Sequence, residues 1–135
     1  MPKISVTRRV HFNSAHRLHS STLSDEENSE QFGPCNNPNY HGHNYELEVS
    51  VTGSPDRTTG YVADLSEIKA IVRREVLDRL DHKNLNLDVP EFSELNPTVE
   101  NIALVIWQML DGKLPAPLSK IVLWETPRNY AVIEK

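Results

Sequence analysis

The sequence has little cysteine and no excess of positive charge, and both shortages restrict what the protein can be. One cysteine among 135 residues excludes an internal disulfide and is typical of a reducing compartment. The 14 basic and 19 acidic residues give a net charge of −5. That balance disfavours nucleic acid or an anionic membrane surface as the main partner.

Long apolar stretches and glycine-rich phosphate loops are also lacking. No segment approaches the roughly 20 apolar residues that a membrane-spanning helix needs. The first residues do not form the apolar run of a signal peptide. We therefore expect one cytoplasmic domain over residues 1–135, with no membrane partner and no nucleic-acid partner.

Alternation of apolar and polar residues predicts four strands. They lie at residues 4–16, 43–51, 121–125 and 130–133. The inward-facing positions of the first strand end at His16. The apolar residues of the second strand fall at the same alternate positions as His43. A tight turn at residues 126–129 joins the last two strands.

Two amphipathic helices are predicted between these strands. Asp64 caps the first, with Glu67 as its capping-box partner. Its apolar stripe is Leu65, Ile68, Val72, Val76 and Leu80. Asn96 and Pro97 open the second, with proline at the first helical position. Its stripe is Ile102, Val105, Ile106, Met109 and Leu110.

The order β-β-α-α-β-β predicts an α+β fold, with a four-stranded antiparallel sheet and two helices on one face. Residues 19–34 are predicted to form a polar surface loop, and residues 81–94 an irregular polar segment. The sheet face away from the helices would need a partner, so we expect an oligomer.

Three histidines have the spacing of a metal site. His41 and His43 point to the same side of an extended backbone, and Gly42 between them allows close approach. If the first two strands pair, His16 joins them. Three nitrogen ligands with an open fourth position are a common way to hold catalytic zinc. Two further histidines, His11 and His19, are predicted to face solvent.

The single thiol and two acidic positions suggest further chemistry. Cys35 lies in a turn, where a metal-activated thiolate would act as nucleophile or base. It could instead be the fourth ligand of a closed structural zinc site or a small buried hydrophobe. Asp81 and His82 are adjacent and suited to proton transfer. Glu125 ends a strand, either as a surface cap or as a carboxylate that binds a ligand's donor groups.

Five motifs follow one another along the chain: FNSAHRL at 12–18, CNNPNYHGHNY at 35–45, LDHKNL at 80–85, PTVEN at 97–101 and WET at 124–126. In this order they resemble the 6-pyruvoyl-tetrahydropterin synthase family, which also contains the 6-carboxy-tetrahydropterin synthases of queuosine biosynthesis. Each motif alone is weak. Together they cover nearly the whole chain.

The resemblance implies a role for each site residue. The zinc ligands would be His16, His41 and His43. The catalytic residues would be Cys35, Asp81 and His82. The substrate-binding residues would be Glu125, which anchors the pterin ring, together with Thr98 and Glu100.

The resemblance also implies an architecture and a reaction. Three subunits of the tunnelling fold would close a barrel, and two trimers would stack into a homo-hexamer with active sites between subunits. A Zn²⁺-dependent lyase would convert 7,8-dihydroneopterin triphosphate into 6-pyruvoyl-tetrahydropterin, with loss of triphosphate and no redox cofactor. Arg17 and Lys83 are candidates to meet the triphosphate.

Two features bear on the product. The five residues between Cys35 and His41 match the pyruvoyl-forming type, because many carboxy-forming members have a shorter gap. Val99, however, stands where the pyruvoyl-forming pattern often has a second threonine. The alternative is therefore a 6-carboxy-tetrahydropterin synthase of queuosine biosynthesis. From another class, a non-catalytic zinc- and pterin-binding protein would not need Cys35, Asp81 and His82 together.

Overall fold

A mainly antiparallel sheet organises the chain in the computed structural model, which describes residues 2–135. Its strands are β1 (Ile4–His16), β2 (His41–Gly53), β3 (Lys83–Asn84), β4 (Leu118–Thr126) and β5 (Asn129–Glu134). They lie in the order β3-β1-β2-β4-β5. Every neighbouring pair is antiparallel except β1 and β3, which are parallel.

The described residues also form five α-helices, and all but the first contribute buried side chains to the core on one face of the sheet. They are α1 (Asp25–Phe32), α2 (Leu65–Val72), α3 (Asp78–Leu80), α4 (Leu85–Asp88) and α5 (Val99–Leu110). A π-helical segment, Arg73–Leu77, joins α2 to α3. The apolar residues of α2 and α5 pack with the inward residues of β1, β2 and β4 in one hydrophobic core. None of the helices within residues 2–135 has the length and apolar character needed to cross a membrane.

The predicted α+β class is confirmed, but the element count is wrong in three places. β3 is a fifth strand of two residues, which pairs with β1 at Ser14 and Ala15. The segment predicted as irregular also contains α4. Residues 25–32, predicted as loop, form α1, whose first turn is closed by a capping box between Ser24 and Glu27.

The predicted N-cap of the first helix is confirmed, whereas the second helix begins differently from expectation. Asp64 caps α2 through the backbone N–H of Ser66, at 2.9 Å, and Leu65 is 44% exposed instead of joining the stripe. At α5 the N-cap is Thr98, whose hydroxyl accepts from the N–H of Asn101, so Pro97 precedes the cap. The remaining predicted stripe residues of both helices are buried.

On β4 and β5, the sheet face away from the helices carries the apolar side chains of Val122, Trp124, Tyr130 and Val132. Tyr130 and Val132 are 53% and 45% exposed. The β1–β2 part of this face is polar. Side chains from neighbouring strands pair across it, including Thr7 with Ser50 at 2.7 Å and Arg9 with Glu46 at 3.3 Å. Polar groups that satisfy one another do not require an apolar partner. The exposed apolar side chains on β4 and β5 favour a partner, so the expectation that this face meets another surface stays a prediction.

Candidate metal centre and adjoining cleft

The pairing of β1 with β2 brings three histidines together. His16 lies opposite His41, and Ser14 lies opposite His43. The ring centroids are 4.6 Å apart for His16 and His41, 5.1 Å for His16 and His43, and 5.0 Å for His41 and His43. One ring nitrogen from each lies within 4.8 Å of the other two. The predicted convergence of these imidazoles is therefore present.

The ring nitrogens of this cluster are available to a metal ion. Nδ1 of His16 lies 2.8 Å from the carbonyl oxygen of Pro97. Because a carbonyl only accepts, Nδ1 carries the proton and the lone pair is on Nε2. Within residues 2–135, Nε2 of His16, both ring nitrogens of His41 and Nε2 of His43 are buried without a hydrogen-bond partner. Buried polar atoms are rarely left unpaired, and a bound cation would pair one nitrogen of each ring.

Burial favours the neutral form of two of these imidazoles, His16 and His41. His16 is 1% exposed, and this burial, reinforced by His41 and His43, lowers its pKa to about 4 although the Pro97 bond opposes the change. Burial also lowers the pKa of His41, with His43 adding to the effect. Neutral imidazole is the form that binds metal, so the donor set fits zinc at neutral pH.

Cys35 lies in a turn that is bonded to the chain leaving β1. It belongs to the 3₁₀ helix Gly33–Asn36 and is partly buried. Its carbonyl accepts from the N–H of Leu18 at 2.9 Å, and Leu18 is two residues beyond His16. The structure thus attaches the thiol-bearing turn to the strand that supplies a histidine of the cluster.

Asp81 and His82 form a contact pair at the β1–β3 edge. Nδ1 of His82 lies 3.0 Å from Oδ1 of Asp81, and the same oxygen accepts from the N–H of Asn13 at 2.9 Å. Partial burial opposes ionisation of Asp81, but the Asn13 bond, His82 and His11 together lower its pKa. The His82 side chain is 82% exposed. The pair is bonded to β1 through Asn13 and to the preceding helical turn through Leu77, whose carbonyl accepts from the N–H of Asp81 at 2.8 Å.

Glu125 stands in a β-bulge beside the histidines. Trp124 pairs with Tyr130 and Thr126 with Asn129, so Glu125 is the extra residue of β4. Bulges re-aim a side chain at the end of a strand. Glu125 lines a cleft of about 660 Å³ with Gly42, His43, Asn44, Trp124 and other residues. That volume is typical of small-molecule sites.

The other predicted pocket residues lie at the start of α5. The Thr98 hydroxyl is engaged as the N-cap, and Pro97 before it bonds to His16. Glu100 is exposed and lines a shallow groove against residues 128–131 of the β4–β5 hairpin. The start of α5 therefore links the histidine cluster to this hairpin.

Sequence reasoning missed Tyr45 as a part of the site and misjudged His19. Burial raises the pKa of the Tyr45 hydroxyl, and the negative charges of Glu125 and Cys35 add to the shift. Tyr45 lies on the same face of β2 as His41 and His43, because the three are alternate residues of the strand. This alternation could have revealed it. His11 is exposed as predicted. His19 is half-buried, and its Nδ1 lies 3.0 Å from the side-chain amide of Asn36.

A three-histidine cluster beside a small-molecule cleft, at one end of an α+β sheet, defines a class of metal-binding protein. The chain matches the 6-pyruvoyl tetrahydropterin synthase family over residues 5–135. It therefore belongs to that family, as the resemblance predicted.

Three relatives illustrate how similar this chain is to other members of the family. It is 47% identical to the 6-pyruvoyl tetrahydrobiopterin synthase of Homo sapiens, over 94% of this chain and 88% of that protein. It is 46% identical to the synthase of Drosophila melanogaster, over 95% and 77%. The structure of 6-pyruvoyl tetrahydropterin synthase from Caenorhabditis elegans superposes with a TM-score of 0.94 at 42% identity, covering 100% of this chain and 97% of the other.

Proposed function

We propose that this chain is a 6-pyruvoyl-tetrahydropterin synthase, a lyase that converts 7,8-dihydroneopterin triphosphate into 6-pyruvoyl-tetrahydropterin and triphosphate. The observation that carries the proposal is the buried cluster of His16, His41 and His43 with unpaired ring nitrogens. Family membership supplies the substrate, and the relatives named above are pyruvoyl-forming enzymes. Residues 1–135 would act as one pterin synthase domain.

The three histidines would hold Zn²⁺. When bound there, the ion would act as a Lewis acid toward the oxygens of the substrate side chain. In the proposed mechanism, Cys35 as thiolate accepts a carbon-bound proton from that side chain. His82 returns or relays protons, and Asp81 orients it and stabilises its charged form. The 3.0 Å contact between Asp81 and His82 supports this division of roles.

Glu125 would fix the pterin ring in the cleft. A pterin presents adjacent ring N–H and amino donors, and one carboxylate accepts from both in a charge-assisted pair. The position of Glu125 in a bulge, in the cleft that His43 also lines, favours this role over that of a strand-end cap. Thr98 and Glu100, at the start of α5, are proposed to complete the pterin pocket.

Product analysis tests the proposed function directly. The zinc-loaded protein would be incubated with 7,8-dihydroneopterin triphosphate, and the products would be separated and identified by mass spectrometry. We expect 6-pyruvoyl-tetrahydropterin and free triphosphate. A 6-carboxy product would assign the queuosine-type activity instead, and unchanged substrate would leave only a binding role.

Removing one histidine of the cluster is expected to remove the metal. His41→Ala leaves two nitrogen ligands, so we expect most of the zinc to be lost, as measured by metal analysis of the purified protein. His11→Ala is the matched control, because His11 is an exposed histidine of β1. That variant should retain one zinc per chain. Full zinc occupancy in His41→Ala would show that the cluster is not the metal site.

Glu125→Gln is expected to weaken pterin binding. The glutamine amide has the shape of the carboxylate, but an NH₂ donor replaces one of the two acceptor oxygens. That donor would face a ligand N–H, so one of the two charge-assisted hydrogen bonds would become a repulsive contact. We expect a loss of about 1.5–3 kcal/mol, roughly 10- to 150-fold in Kd, measured by calorimetry with a pterin product analogue. Glu46→Gln, in the same cleft but paired with Arg9, is the control. Equal binding by both variants would make Glu125 only a strand-end cap.

We further propose that three chains close a barrel and that two such trimers form the hexamer. Within the described chain, β1 has a partner on its outer edge only near residues 13–15, and β5 has an unpaired outer edge. β5 runs opposite to β1, because each step from β1 through β2 and β4 to β5 is antiparallel. A ring of like-oriented chains could therefore join β5 of one to β1 of the next as an antiparallel pair, and closure removes exposed edges.

A further inference from the structure

Three consecutive residues that leave the metal strand are each held by an asparagine side chain. Arg17 is bonded by Asn86, Leu18 by Asn36 and His19 by Asn96. Each asparagine comes from a different segment of the chain. The three segments are the ones that carry Cys35, the Asp81–His82 pair and the start of α5.

Asn36 joins the Cys35 turn to this stretch. Its side-chain amide donates to the carbonyl of Leu18 at 2.7 Å, while the N–H of Leu18 donates to the carbonyl of Cys35 at 2.9 Å. Both polar groups of the Leu18 backbone are thus bonded to two adjacent residues of the turn. The carbonyl of Asn36 also accepts from Nε of Arg17 at 2.9 Å. The turn has little freedom to move relative to His16.

Asn86 and Asn96 add the other two segments. Asn86 holds both backbone groups of Arg17, accepting from its N–H at 2.8 Å and donating to its carbonyl at 3.0 Å. Asn96 accepts from the N–H of His19 at 3.2 Å and directly precedes Pro97, whose carbonyl orients the His16 ring. A single three-residue stretch therefore bonds to the segment of Cys35, to the segment that follows the Asp81–His82 pair and to the start of α5.

We propose that Asn36, Asn86 and Asn96 are positioning residues that set the Cys35 thiol relative to the histidine cluster. Asn36 has the largest effect because it lies in the turn itself. Reacting groups must be held to within a fraction of an ångström, and a 1 Å displacement costs on the order of 10²-fold in rate. The inference rests on the proposed function only for the catalytic use of the thiol. The placement of the thiol is measurable by itself.

Asn36→Asp tests the proposal, with Asn39→Asp as its matched control. The first change removes the donor and sets a carboxylate oxygen against the Leu18 carbonyl. The second introduces the same charge in the same loop at an exposed residue outside these bonds. In zinc-loaded Asn36→Asp we expect kcat to fall roughly 10- to 100-fold with little change in KM. We also expect the rate of Cys35 alkylation by iodoacetamide to change about fivefold or more, while Asn39→Asp stays near wild type.

The outcomes separate positioning from simple stability. Normal kcat and alkylation in Asn36→Asp, with only a lower Tm, would make the asparagine structural and overturn the proposal. If that variant does not fold, kcat and the rate of Cys35 alkylation would be measured on two other variants, the uncharged Asn36→Ala and the distant Asn86→Asp. If the wild type itself forms no product, the proposed function fails. The alkylation difference between Asn36→Asp and Asn39→Asp would then still decide whether the asparagine places the thiol.

Discussion

Replacing Cys35 with alanine is expected to lower kcat by about 10²–10⁴-fold, the range that a positioned proton-transfer group contributes. The thiol is partly buried in a turn that is bonded to the residues after His16. The three histidines already supply buried donor atoms without it. The variant should therefore keep its zinc and its unfolding temperature while losing turnover.

The control for this experiment is metal content. Zinc analysis and thermal unfolding of Cys35→Ala would accompany the turnover assay, and Cys35→Ser would test a side chain of similar size that ionises poorly. Because Cys35 is the only cysteine, no other thiol can substitute for it. Loss of zinc from Cys35→Ala would contradict the role of base and support the closed site with a fourth sulfur ligand.

Most of the fold was predictable because strand and helix periodicities report burial directly. The alternation that ends at His16 is found in β1, where Phe12, Ser14 and His16 are buried and their neighbours are not. The stripe of α5 is buried at every predicted position. Both patterns arise because one face of the strand or helix packs against the core. The resulting spacing of apolar residues can be seen within a short stretch of sequence.

The parts that were missed depend on local capping or on distant pairing. α1 has almost no apolar residues, so its periodicity gives no signal. It is closed by the Ser24–Glu27 capping box and by Asn28, which is fully buried. β3 has two residues and exists because Ser14 and Ala15 offer an edge. Leu65 has the right spacing for the stripe, but it lies at the helix start, beyond the core.

The site was predictable where residue type carries the chemistry. Histidine and cysteine are few in this chain, and the two-residue spacing of His41 and His43 placed two imidazoles on one side of a strand. The asparagines that bond residues 17–19 had no such signal, because they act through backbone groups of a distant segment. Their partners follow only from the three-dimensional pairing of β1 with its neighbours.

The positions of Asp81, His82 and Glu125 connect the site to assembly. Asp81 and His82 bond to Asn13 at the β1 edge, whereas Glu125 lies beside the β5 edge, at the opposite side of the sheet. Both are at the end of the sheet where the histidines cluster, since Asn13 pairs with Asn44 and Trp124 with Glu46. A ring of chains that joins these edges would place one chain's acid–histidine pair near the next chain's Glu125. The family resemblance implies that the pair also serves that neighbour's Cys35.

Mixing two inactive variants is therefore expected to restore activity. Cys35→Ala and His82→Ala each lack one group, so each homo-oligomer should be close to background. After random exchange at equal amounts, about one quarter of the interfaces would combine an intact Cys35 with an intact His82 from its neighbour. Turnover would be measured before and after mixing, with exchange itself followed by mass spectrometry of differently tagged chains. If the chains exchange and activity stays at background, each chain carries its own complete set, and the shared-site assembly is wrong.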